Sequence, residues 1–273
     1  MISKTQLNAY FKRINFNGKL STDLETLQKL QFLHVKHIPF ENFNPLFKIP
    51  VSLALENIFE KLVLSNRGGY CFEQNILFLE ILKSIGFQAC GLMGRVILRK
   101  PVHHISKRTH MLILVKIKKE KYICDVGFGS QVLTSPILLN STSIQKTTHE
   151  NYRILSLNKN FVLQVEIQKE WINLYKFDLQ KCYDVDYALA NWYTSANPNS
   201  HFTKKIITTR VGENCRYLIH NNKFKIHYLN KKSIEETIGN IQHLKNILNT
   251  YFALPLPETE NAEQILTDIL KNS

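Results

Sequence analysis

The stretch Arg67-Gly68-Gly69-Tyr70-Cys71-Phe72-Glu73-Gln74-Asn75 governs the reading of this chain. Two adjacent glycines allow positive φ or close passage beside another segment, so they mark a tight turn. Directly after them Ile76, Leu77, Phe78, Leu79, Ile81, Leu82 and Ile85 form an apolar run that Gly86 stops, the pattern of a buried helix. Cys71 falls at or near the N-terminus of that helix. There the helix dipole favours thiolate over thiol, and thiolate is the nucleophilic form. A cysteine beside an apolar helix is also ordinary packing, and what separates the two readings lies elsewhere in the chain.

Upstream the texture is helical. Leu7, Tyr10, Phe11 and Ile14 share a helix face after Ser3, and Thr22-Asp23-Leu24-Glu25 has the pattern of a capping box opening a second helix with Leu24, Leu27 and Leu30 inward. Ile38-Pro39 ends it, because the residue before proline is pushed out of the α region. Pro39-Phe40-Glu41-Asn42-Phe43-Asn44-Pro45 reads as an unusually aromatic loop, and Ser52 as the cap of a third helix carrying Leu53, Leu55, Ile58, Phe59, Leu62 and Val63.

Downstream, short β-type runs succeed one another: 87–98, 108–118, 121–126, 152–157, 161–167 and 171–177, with turns at Asn158-Lys159-Asn160 and Gln168-Lys169-Glu170. Such a series predicts a small barrel or a curled antiparallel sheet. A short helix or linker over 184–193 leads to Asn197-Pro198-Asn199-Ser200, then strands over 202–211, 216–220 and 223–228. Two closing helices are expected, one after Ser233 with Ile234, Ile238, Ile241, Leu244 and Leu248, the other over 262–270.

The 273 residues suffice for a large core, and 44% hydrophobic against 21% charged is a globular composition. No run approaches the ~20 apolar residues of a membrane span. The segment Met1 to Gln6 lacks the basic and apolar regions of a secretory signal. Five scattered cysteines without a C-x-x-C argue for a reduced, cytoplasmic setting and against a disulfide framework or zinc site. The net charge of +13 suits an anionic partner, though the basic residues are spread along the chain and form no helical stripe.

Two downstream segments carry further chemistry. Thr109-His110 opens a strand that is apolar on both faces, and Asp125 closes another just before Gly127-Phe128-Gly129. A buried carboxylate requires a partner. The Lys119-Glu120 turn makes these strands neighbours, so antiparallel pairing is expected to set His110 and Asp125 side by side. A thiol at a helix N-terminus, an imidazole and an orienting carboxylate have the logic of a catalytic triad, and a Cys–His pair suits acyl transfer through a thioester.

Arg67 to Glu73 resembles the active-site signature of the arylamine N-acetyltransferases. Pro39-Phe40-Glu41-Asn42, Thr109-His110, Asp125-Val126-Gly127-Phe128-Gly129 and the segment from Asn191-Trp192-Tyr193 to Phe202 match further patterns of that family in the same order. The resemblance implies an α+β fold in three parts: an N-terminal helical bundle (1–86), a central antiparallel β-barrel (87–193) and a C-terminal α/β lid (194–273). It implies Cys71 as acetyl acceptor, His110 as its base and Asp125 as the residue orienting His110. Acetyl-coenzyme A is the implied donor, and a small arylamine or arylhydrazine the implied acceptor, with no metal. Phe40, Val96, Phe128 and Phe202 fall where the family lines its acceptor pocket, and Thr109 and Gly129 are the implied coenzyme A contacts. Arg67 and Glu73 are expected to be structural, Arg67 as a tie between helical and barrel parts.

Other readings compete. A cysteine peptidase or transglutaminase-like enzyme accounts for Cys71, His110 and Asp125 but not for the phenylalanine-bearing loops. Within the family, some members are amide synthases that close macrocycles. A nucleic-acid binder would use the positive charge, yet no recognised nucleic-acid motif accompanies it.

Overall fold

Every apolar stripe before Gly86 becomes a helix in the computed structural model, which describes residues 2–272. Helix α1 (Lys4–Ile14) is held by a reciprocal box, Ser3 Oγ accepting from Gln6 N and Gln6 Oε1 from Ser3 N. Helix α2 (Leu24–His37) is capped by Asp23 alone, whose Oδ1 accepts from Thr26 N at 2.8 Å.

The aromatic loop is more ordered than expected. It contains strand β1 (Phe40–Glu41) and the short helix α3 (Phe43–Leu46). Helix α4 (Leu55–Phe59) runs into a π-helical turn, Glu60–Leu64. It starts after Ser52 and Leu53, because Ser52 Oγ is engaged by Ala54 N and Asn57 Nδ2 in a turn outside the helix. Helix α5 (Cys71–Ile85) begins with Cys71 and ends at Gly86.

The central strands are β2 (Gln88–Val96), β3 (Arg108–Ile117), β4 (Glu120–Cys124), β5 (Ile137–Leu138), β6 (Gln145–Lys146), β7 (Asn151–Leu157), β8 (Asn160–Ile167) and β9 (Glu170–Phe177). They form one antiparallel sheet in the order β5-β4-β3-β2-β9-β8-β7-β6, curled into a nearly closed barrel. No ladder joins β5 to β6. The side chain of Gln145 bridges that seam, its Oε1 accepting from Leu138 N at 2.7 Å and its Nε2 donating to Leu138 O at 2.9 Å.

The double-sided apolarity of β3 is explained by its neighbours. Leu112 faces the barrel core with Ile123, Leu163 and Tyr175, while Met111 and Ile113 face the core shared with α5.

Helix α6 (Asp184–Ala196) crosses to the last third of the chain, where β10 (Ile207–Val211), β11 (Cys215–His220), β12 (Lys223–Tyr228) and β13 (Ile234–Thr237) follow, then α7 (Ile241–Ile247) and α8 (Ala262–Lys271). Two expectations fail here. Phe202 lies in a 3₁₀ turn, not a strand, because Ser200 Oγ caps its N–H. Ile234 belongs to a strand, not a helix: it pairs with Ile226, Lys225 bridges Glu235 across the pair, and the helix starts only behind Asn240, which caps His243 N. The sheet is completed from the other end of the chain, since β1 pairs with β10 through Phe40↔Thr209 and Glu41↔Thr208. Phe43 and Leu46 of α3 also pack into the core of this unit, with Phe252 and Leu266. Among the described residues no helix is long and apolar enough to cross a membrane.

Candidate active site

The two glycines before Cys71 serve close approach; neither takes positive φ. A Cβ on Gly68 would lie 2.3 Å from Pro39 O, and Gly69 forms a parallel bridge with Phe40. The loop is thereby laid against β1. Here the buried carboxylates of Glu41 and Glu73 meet the part-buried Lys61 and Arg67. Arg67 Nη2 donates to Glu41 Oε1 at 2.6 Å and to Asn44 Oδ1 at 3.1 Å, and Lys61 Nζ donates to Glu73 Oε1 at 2.7 Å. Arg67 therefore anchors the β1–α3 segment, and its bonds do not reach the barrel as expected. Burial pushes the Glu73 carboxyl up, with Lys61 opposing. For Glu41 burial also pushes up, but Lys61 and Arg67 together outweigh it and hold the carboxyl down. Glu73 Oε2 accepts from Tyr70 N, fixing the residue that precedes the thiol.

Cys71 is the first residue of α5. Its thiol donates to Thr109 O at 3.8 Å, and it stands near enough to the His110 ring to help keep that ring protonated. His110 Nε2 meets Asp125 Oδ2 at 2.7 Å, leaving Nδ1 for the thiol. The second oxygen of Asp125 accepts from Asn75 Nδ2 at 3.0 Å and Gly127 N at 2.9 Å. Asn75 also donates to Met111 O and accepts from Val126 N, tying α5 to both β-segments that bear the site. Burial disfavours the charged imidazole, but the charge and hydrogen bond of Asp125, with Cys71 adding, outweigh it and raise His110 to about 10. The arrangement is a thiol held beside an imidazolium whose far nitrogen is clamped by a carboxylate.

His110 and Asp125 meet, though not by direct cross-strand pairing. The hairpin turn is at Lys118-Lys119, the ladder ends at Ile113↔Cys124, and Asp125 lies beyond it. Two other features bring them together. The register of β3 against β2 skips Thr109, between Gly94↔His110 and Arg95↔Arg108, and such a bulge re-aims the adjoining side chain. The turn after Asp125 then presses on the helix: a Cβ on Gly127 would lie 2.6 Å from Cys71 Cα.

Of the remaining sequence candidates Phe128 touches His110, while Phe40, Phe202 and Gly129 contact one another and Val96 lines a groove. The rings of Phe40 and Phe202 are 6.0 Å apart, and Tyr70 meets Phe202 edge-on at 5.9 Å. Phe128 stands edge-on to His110 at 5.2 Å and against Tyr175 at 5.3 Å. Val96, Thr109 and Phe202 line one groove of about 710 Å³ with Arg95, Lys107 and Tyr193. Gly129 lies over the Phe40 ring, outside that groove. Asn75, Gln74 and Tyr175 escaped the sequence reading. The signal for Asn75 was available, since a buried amide four residues after Cys71 shares its helix face.

A helix-borne thiol beside a barrel-borne histidine and aspartate is a Cys-His-Asp arrangement. Comparison with known proteins narrows the class. Residues 23–261 match a family model described as N-acetyltransferase. The chain is 36% identical over 262 residues to the arylamine N-acetyltransferase of Escherichia coli K12, covering 93% of this chain and 91% of that one. The solved arylamine N-acetyltransferase from Salmonella typhimurium superposes with a TM-score of 0.91 at 31% identity, covering 100% of both chains. That of Mycobacterium marinum, in complex with CoA, gives 0.91 at 29% identity, covering 96% of this chain and 99% of that one. The chain belongs to the arylamine N-acetyltransferase family, and is an acyltransferase enzyme of that family.

Proposed function

We propose that Cys71 takes an acetyl group from acetyl-coenzyme A and passes it to the nitrogen of an arylamine or arylhydrazine. The observation that carries this reading is the buried line Cys71–His110–Asp125, in which the carboxylate is otherwise fully occupied by Asn75 and Gly127. With His110 charged, both ring nitrogens donate, one to Asp125 and one to the sulfur. The thiolate attacks the donor carbonyl; the tetrahedral adduct collapses with cleavage of the bond to the coenzyme A sulfur, which takes the His110 proton. The acetylated enzyme then receives the amine nitrogen at the same carbonyl. His110, now neutral, takes the proton that the nitrogen sheds, and the Cys71 thiolate leaves. Phe40, Val96, Phe128 and Phe202 are assigned to the acceptor ring, and Thr109 and Gly129 to the donor. The CoA complex of the M. marinum relative supports that donor.

Enzyme incubated with acetyl-coenzyme A alone should gain one acetyl group on the peptide containing Cys71, and an arylhydrazine should discharge it. Cys71→Ser should not acquire the group, because a hydroxyl is a far weaker nucleophile than the thiolate. An unmodified wild-type peptide, with intersecting lines in two-substrate kinetics, would overturn the scheme in favour of direct transfer.

A further inference from the structure

Three residues behind the nucleophile form a buried polar chain that the chemistry above does not use. Gln74, three positions after Cys71 on α5, is fully buried. Its Nε2 donates to Pro39 O at 2.8 Å and to Gly69 O at 3.2 Å. Carbonyls only accept, so these two bonds fix the orientation of the amide and turn Oε1 toward His34 Nε2, at 2.7 Å. That nitrogen must carry the proton, and Nδ1 therefore accepts from the Tyr10 hydroxyl at 2.8 Å. Burial, reinforced by the charge of Arg13 and opposed by the bond to Gln74, lowers His34 to about 4, so the ring is neutral around pH 7. Each of these buried groups has a partner, and the order of donors and acceptors along the chain is unique.

The two carbonyls gripped by Gln74 belong to different segments. Pro39 precedes Phe40, whose ring stands against Phe202 and beneath Gly129; Gly69 precedes Tyr70 and Cys71. The same segments touch through Gly69 N→Pro39 O at 3.3 Å and Glu41 N→Gly69 O at 3.1 Å. Gln74 thus spans the nucleophile loop and the loop bearing Phe40 on the Pro39 side, as Arg67 does on the Glu41 side. The other side of α5 is secured independently, by Asn75 to Asp125, Met111 and Val126. The fixings of the triad and of the Phe40 loop are therefore separate.

We infer that Gln74, braced by His34 and Tyr10, is a positioning residue that sets the distance between the acceptor-ring wall at Phe40 and the Cys71 sulfur, and so governs selectivity for ring-bearing acceptors. This rests on the acetyl-transfer reading above. Removing the grip loosens the Pro39 end of the Phe40 loop, which β10 and Arg67 still hold at Glu41, and leaves the triad held.

The test separates the two half-reactions. In Gln74→Glu the volume and the acceptor toward His34 remain, while the paired donation to Pro39 O and Gly69 O is lost; Gln74→Met removes the acceptor as well. For each folded variant, the rate of Cys71 acetylation by acetyl-coenzyme A is measured without amine. Discharge is then measured with phenylhydrazine and with ringless hydrazine. We expect acetylation and discharge by hydrazine within about twofold of wild type. The KM for phenylhydrazine should rise about fivefold, the weight of one aromatic contact. Should Gln74→Met not fold, Gln74→Glu is read by the same criteria, and a His34→Gln variant, which shortens the brace without touching the grip, should give a smaller shift in the same direction. Equal losses with both acceptors and in acetylation, or no change in any, would overturn the inference. A wild-type enzyme that is never acetylated would instead sink the acetyl-transfer reading.

Discussion

Adding a single methyl group at Gly127 tests how the site is assembled. In Gly127→Ala the new Cβ would fall 2.6 Å from Cys71 Cα, 2.8 Å from Cys71 O and 2.8 Å from Asn75 Nδ2. Ordinary contacts between carbons lie at about 3.5–4.0 Å, so the shortfall is roughly 1 Å. Two of the three atoms are helix backbone and cannot rotate aside. Either the first turn of α5 or the turn after Asp125 must retreat by about that distance. Overpacking of this kind costs about 1–3 kcal/mol. At about 2–4 °C per kcal/mol for a chain of this size, the melting temperature should drop by about 2–12 °C. The catalytic effect should be larger, because a misplacement of about 1 Å between reacting groups can cost about 100-fold. Acetylation of Cys71 by acetyl-coenzyme A, followed by mass spectrometry beside a thermal melt, reads both. Gly239→Ala, where a Cβ meets nothing within 4 Å, serves as control and should leave both unchanged. A Gly127→Ala enzyme melting within about 1 °C of wild type and acetylated within about twofold of its rate would refute this account of the helix–turn contact.

Two further expectations concern the imidazole. Asp125→Asn should keep the bonds from Asn75 and Gly127 on its remaining oxygen, which turns its amide nitrogen toward His110 Nε2 and forces the ring proton onto Nδ1. The corresponding change in a serine-protease triad costs about 10⁴ in rate, and a comparable loss with unchanged circular dichroism is expected. The raised pKa of His110 also has a signature in stability. Its folded value of about 10 stands above the unfolded value of about 6.5, so the native state binds the proton more tightly. That contribution is complete below about pH 6.5 and lost as pH rises toward about 10. Urea midpoints should fall over this interval more in wild type than in His110→Gln; equal slopes would show that the ring is not held charged.

Much of the architecture was legible because periodicity reports burial. The runs around Leu27, Leu62 and Leu77 became helices, and the meander from Tyr152 to Phe177 became barrel strands. The three polar residues of the site were legible too, since thiol, imidazole and carboxylate stood out in apolar surroundings. Their means of assembly was not. The Thr109 bulge adds no residue type that a sequence displays, and the contact of Gly127 with α5 depends on the packing of distant segments. Strand β1 looks like loop in the sequence because two residues cannot show alternation and their partners lie far along the chain. At Ile234 the spacing to Ile238 and Ile241 imitates a helical stripe, yet cross-strand pairing with Ile226 and the Lys225–Glu235 bridge prevail.

The pairing of β1 with β10 bears on how the protein comes into being. Thr209 leaves the ribosome 169 residues after Phe40, a delay of roughly 8–34 s at ordinary rates of synthesis. Throughout that interval the segment holding Phe40 has no sheet to join, and Phe202, its aromatic neighbour, has only just emerged at the end of it. The nucleophile is made early, but the wall beside it is finished only when the last third of the chain arrives. A chain ended between β9 and Phe202 therefore carries the thiol while Phe40 lacks both its strand partner and the Phe202 ring, the wall to which the proposal assigns the acceptor.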